Sequence, residues 1–137
     1  MKIAVSSSQP NMDGDVNPMF GRCRHFLIVE VGDGKIKGFE SVENKAANQS
    51  GAAGISAAQT VAEKDVKAVI TGNMGPRAFD VMNHFKIDVY SASGPIKDAV
   101  QMFINGKLEK IQGPGQMHFG LGRGQGGTGR GMGRGFQ

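Results

Sequence analysis

The sequence predicts an α/β domain of three layers, with helices on both faces of a mixed sheet of about five strands, followed by a disordered tail. Three observations predict it. Apolar runs of strand length stand at Lys2–Val5, Phe26–Val31, Val66–Thr71 and Ile87–Tyr90. Helix-period stripes bounded by glycine and proline alternate with the later runs. From residue 113 onward both patterns stop, and that segment holds 11 of the 22 glycines with too few large apolar side chains to bury a core. The domain is therefore placed at 1–112 and the Gly/Arg-rich tail at 113–137.

The elements follow in order. "KIAV" is a first strand, and "FLIVEV" is a second, joined through Asp33-Gly34 to a third at Ile36–Val42, because an Asp-Gly pair supplies the positive φ that a tight hairpin needs. Ser50 is a candidate N-cap for a helix in "GAAGISAAQTVAEK", where Ala52, Ala53, Gly54, Ala57 and Ala58 allow close approach to a sheet. After the strand "VKAVIT", Pro76 fits a first helical turn, and Ala78, Val81, Met82 and Phe85 form one apolar stripe. "IDVY" is the next strand. The last helix repeats the stripe at Ile96, Ala99, Val100 and Phe103 and stops at Asn105-Gly106. Helices between strands imply right-handed crossovers and a parallel segment, to which the hairpin adds antiparallel strands.

Composition removes several classes. No apolar run of about 18 residues is present, so neither a membrane helix nor a signal peptide is expected, and the protein is expected to be cytoplasmic. A single cysteine, Cys23, forms no internal disulfide and cannot furnish a zinc finger or a four-thiolate cluster site. Of the 16 basic residues, Arg123, Arg130 and Arg134 lie in the acid-free tail, leaving 13 against 12 acids in the body. The basic pI therefore belongs mostly to the tail.

Ligands of open α/β sheets collect outside the carboxyl ends of the parallel strands. Those ends are "SSSQP", "TGNMGP" and "SASGP", small and polar enough for close backbone approach, and the last two run into helices with free first-turn N–H groups. Candidate binding residues there are Gly72, Asn73, Met74, Gly75 and Ser93. An antiparallel second strand brings Arg22 and Cys23 to the same rim. Two readings of Cys23 stand: a thiol whose pKa Arg22 and Arg24 lower, available as a soft metal ligand, or a small buried hydrophobe. His25 reads as packing or surface, His84 as a helix-end residue, and His118 lies in the tail. No Ser-His-Asp set, Walker loop or paired carboxylates stand at the crevice, so no enzyme is expected.

The stretches "MKIAVSSS", "FGRCRHFLIVEV", "GAAGISAAQTVAEKDVKAVITGNMGPRAFDVMNHFKIDVYSASG" and "INGKLE", in this order, resemble the dinitrogenase iron-molybdenum cofactor biosynthesis family over about residues 1–112. The resemblance implies a ribonuclease-H-like fold. It also implies a protein that binds, carries or stores an iron-sulfur or molybdenum-sulfur cluster without turnover of its own. The family's Phe-Gly-Arg segment falls on Phe20, Gly21 and Arg22, and its Gly-Pro-x-Ala loop on Gly75, Pro76 and Ala78. Many relatives lack a cysteine at position 23, so the cluster need not be held by a thiolate. Expected partners are the anionic cluster itself, proteins that donate or accept it, and a second copy of the chain. A separate reading makes the chain an RNA- or partner-binding module through its tail; three arginines with Phe119 and Phe136 support weak nucleic-acid contact.

Overall fold

A computed structural model describes residues 1–47 and 53–111. Six strands and three helices follow the order β1 (Lys2–Ser7), β2 (His25–Gly32), β3 (Lys35–Glu43), α1 (Ala53–Ala62), β4 (Ala68–Thr71), α2 (Pro76–His84), β5 (Asp88–Ser91), α3 (Ile96–Ile104) and β6 (Glu109–Lys110). They form one sheet with the order β3-β2-β1-β4-β5-β6. β1, β4 and β5 run parallel, while β2, β3 and β6 pair antiparallel to their neighbours. The expected five strands become six. Two residues are too short to show a period, and β6 exists through pairing: Tyr90 opposes Lys110, Ser91 opposes Glu109, and Lys110 reaches Asp88 at 3.1 Å.

Alternation of side chains along the strands divides the core in two. Ala4, Phe26, Ile28, Val69 and Val89 face α1 and α2, whereas Ile3, Val5, Leu27, Val29 and Ile70 face α3. The three layers are therefore two helices, the sheet and one helix. Asp33 and Gly34 adopt φ of 54° and 76°, the left-handed pair of the expected hairpin turn. α3 buries Ile96, Ala99 and Val100 as the stripe predicts, with Phe103 edge-on to Tyr90 at 5.2 Å between ring centres. In α2 Ala78, Phe79 and Met82 are buried and Val81 packs partly buried against the same core, while Phe85, just past the helix end at His84, is exposed. The Ser50 cap and the tail beyond residue 111 lie outside the described residues.

Candidate functional site

The antiparallel pairing of β1 and β2 sets Ser7 opposite His25, which brings the preceding Arg22 and Cys23 to the carboxyl rim of β1. That rim is not the open crevice the topology suggests. Residues 8–22 lie across it as a strap: the Asn17 N–H donates to Ser6 O, Val16 to Gly94 O, Phe20 to Asn73 O, and the Ile96 N–H donates back to Gly14 O. Backbone groups left over at the strand ends are thus paired by the strap's own backbone instead of a ligand. Beneath it the buried Ser6 hydroxyl bonds Thr71 Oγ1 at 2.9 Å and Asn17 O at 2.7 Å.

The strap separates the expected site residues. Gly72 lies against Pro18, where a Cβ would stand 2.6 Å from the proline Cα, so its role is close packing of two backbones. Asn73 is exposed and serves through its carbonyl. Met74 is buried in the core of the α1/α2 face, away from solvent. Ser93 is exposed in the loop between β5 and α3, beside Gly94, whose carbonyl accepts from Val16 of the strap. Gly75 is the N-cap of α2 and opens onto a different space.

That space is a cleft of about 310 Å³ at the strap's far end, walled by Phe20, Gly21, Gly54, Gly75, Pro76 and Arg77. Two helices begin in it. Gly75 caps α2 without a side-chain hydrogen bond, Pro76 has no N–H to offer, and no acidic residue stands in the first turn of α1 or α2. The first turn of α2 therefore has no side-chain cap, and neither helix start carries a side-chain negative charge against an anion. The wall is closely packed backbone: a Cβ on Gly21 would come within 3.2 Å of Gly54 Cα. Arg77 is exposed on the lining, and the exposed Arg22, next to Gly21, donates from Nη1 to Ala47 O at 3.1 Å. Asn44 locks this corner: its Nδ2 donates to Cys23 O at 2.8 Å, and its Oδ1 accepts from the Ala46 N–H.

Cys23 sits behind this wall. It is fully buried, its backbone N–H bonds Met19 O, and its thiol donates to Phe20 O at 3.3 Å. The expected lowering of its pKa by neighbouring arginines is reversed. Burial pushes the thiol from its ordinary 9.0 up to about 12, against smaller lowering contributions from hydrogen bonds of the Ser7 backbone and Asn44. Arg22 and Arg24 are exposed while the sulfur points inward, so desolvation wins. The sign of the linkage follows. Above pH 9 the unfolded chain loses this proton and the folded one keeps it until about 12, so stability is complete below pH 9 and declines through that window. Urea unfolding of wild type against Cys23→Ala should show an extra loss of about 1.4 kcal/mol per pH unit in wild type alone.

Sequence reasoning missed Arg77, Ile55 and the start of α1. "GAAG" was the available signal, since its small residues form the wall that faces Gly21. His84 ends α2, and the His25 Nδ1 lies 3.5 Å from Ser41 Oγ. Among the described residues no three His, Cys, Asp or Glu side chains converge to hold a metal ion, and no helix is long and apolar enough to cross a membrane.

Fold and cleft together define an α/β domain with a cleft lined by glycine backbone, helix starts and an arginine. The chain belongs to the dinitrogenase iron-molybdenum cofactor family, whose profile matches residues 1–106. It is 40% identical over 113 residues to protein MJ0580 of Methanocaldococcus jannaschii, covering 82% of this chain and 92% of that one. MJ0327 of the same organism is 30% identical over 116 residues, covering 83% and 97%. The apo form of the orange protein from Desulfovibrio gigas has a similar structure, with a TM-score of 0.78, 34% identity, and coverage of 84% of this chain and 96% of that one.

Proposed function

We propose that the cleft between Phe20–Gly21 and the starts of α1 and α2 holds an anionic metal-sulfur cluster as cargo, and that the protein carries it for cofactor assembly without turnover. The observation that carries this reading is the convergence of the starts of α1 and α2, the second without a side-chain cap, and of Arg77 on one space where, among the described residues, no three His, Cys, Asp or Glu side chains gather. A cluster that brings its own sulfides needs no cage of thiolates. It needs N–H donors, positive potential and close backbone approach, which these residues supply. Family membership supports the cargo class, and so does the orange protein, whose structure is described as an apo form. Iron with sulfide and molybdenum with sulfide both fit this chemistry. Protein donors or acceptors of the cluster would meet the same open cleft. The strand order β3-β2-β1-β4-β5 supports a ribonuclease-H-like arrangement to which β6 is added.

The cluster is retained without Cys23 in this reading, because a buried, protonated thiol behind Phe20 offers no sulfur to the cleft. Anaerobic incubation with iron and sulfide, with and without molybdate, followed by desalting, metal analysis and visible absorption, tests it. Stoichiometric metal and colour are expected in wild type and retained in Cys23→Ala. No bound metal in wild type would overturn the cargo reading; colour lost only in Cys23→Ala would make the thiol a ligand that the strap must open to expose.

A further inference from the structure

The two edges of the sheet are unlike. β6 closes one with two residues, whereas β3, Lys35–Glu43, has no strand on its outer side among the described residues. Natural edges are blunted by charged side chains and by bulges, and β3 has both, its register shifting at Lys37 between the Ile36–Val31 and Gly38–Glu30 pairs. The charges of β3 are moreover ordered along the strand. Its first three residues hold Lys35 and Lys37, its last four hold Glu40 and Glu43, and the halves cancel. Such a strand repels a parallel copy and attracts an antiparallel one, because reversal lays each basic half along the other's acidic half. Phe39 stands at the middle of the nine, 47% exposed, and beside it Gly38 has nothing within 4 Å of where a Cβ would be. Lys37 pairs with Asp33 at 3.1 Å and Glu40 with Lys64 at 3.5 Å, both on exposed side chains, whereas the end charges Lys35 and Glu43 have no ion-pair partner among the described residues.

From this pattern we infer that β3 is a docking edge for a second copy of the chain. Two copies join antiparallel across a two-fold axis near Phe39, forming one continuous sheet through both molecules. The contact is isologous, as a two-fold pair requires: the basic end of each β3 meets the acidic end of the other, and the two Phe39 rings meet at the axis. Backbone hydrogen bonds supply the attachment, and charge order supplies direction and register. The cleft lies at the starts of α1 and α2 and is not part of this edge, so both copies keep theirs.

Sedimentation equilibrium of the full-length, cluster-free chain at a range of concentrations tests the inference. Wild type should form a dimer that weakens as salt rises. Reversing the basic half (Lys35→Glu with Lys37→Glu) or the acidic half (Glu40→Lys with Glu43→Lys) should weaken the dimer at least about tenfold, with circular dichroism confirming that each variant folds. An equimolar mixture of the two variants should recover a heterodimer, since one edge is then wholly acidic and the other wholly basic. A wild-type chain that stays monomeric to millimolar concentration, or variants that dimerise unchanged, or a mixture that stays monomeric, would each overturn it. Cluster loading plays no part in these readings, so failure of the cargo proposal leaves them intact.

Discussion

Gly72→Ala is expected to destabilise the domain by about 1–3 kcal/mol, a fall in Tm of roughly 5–20 °C. The added methyl would stand 2.6 Å from Pro18 Cα, 3.1 Å from its carbonyl oxygen and 3.2 Å from its Cβ. Two of those atoms are backbone, so no side-chain rotation relieves the contact. Relief requires the strap to lift from the end of β4. Lifting it strains the Phe20 N–H bond to Asn73 O and the parallel bridge between Met19 and Asn73, two residues and one residue beyond the proline respectively. Phe20 is a fully buried wall of the cleft, with its ring 5.0 Å from that of Phe26. Loss of ligand retention should therefore accompany the loss of stability. Thermal unfolding of Gly72→Ala beside Gly38→Ala checks the cause: Gly38 has nothing within 4 Å, and alanine there should leave Tm nearly unchanged. Equal falls in both variants would mean that lost glycine freedom, rather than the Pro18 contact, governs.

The same residue shows what was legible in the sequence. Strands and helices announce themselves by period, so β1, β2, the Asp33-Gly34 turn and the stripe of α3 could be read directly. Gly72 could be read as a backbone close to something, but that something is Pro18, more than fifty residues away in a stretch without period. The strap is held by backbone bonds to Ser6, Asn73 and Gly94, and backbone carries no sequence signature. Hence the rim was placed correctly and its openness was not. Met74 adjoins Gly75 along the chain yet turns into the core, and Ser93 lies beside Gly94, which meets the strap at Val16, away from the cleft at Phe20 and Gly21. Cys23 illustrates a limit of local charge arguments: flanking arginines predict an activated thiol only when the sulfur shares their solvent, and here it does not. Arg77 was passed over because it lies outside the glycine-rich loop, and only the helix start carries it into the cleft.

Arg77→Glu is expected to weaken retention of an anionic metal-sulfur cluster by on the order of tenfold to hundredfold while leaving the fold at least as stable. The two effects have opposite signs for a physical reason. With Gly75 as N-cap and Pro76 first in the helix, residue 77 occupies the second helical position, where α2 has no acidic side chain. A carboxylate there interacts favourably with the positive helix end, by about 0.3–1 kcal/mol. For a multiply charged anion in the cleft the same change removes one attracting charge and adds one repelling charge. Each unit pair is worth about 1 kcal/mol at 4 Å even in water, less once salt screens it. Unfolding therefore cannot imitate the result. Arg77→Gln should fall between the two, losing attraction without adding repulsion. Anaerobic loading with iron, sulfide and molybdate, metal content after desalting, and parallel thermal unfolding would measure both effects on the same samples. A Tm at or above wild type with metal lost in the order Arg, Gln, Glu places the cargo against the start of α2; metal content indifferent to all three would move it out of this cleft.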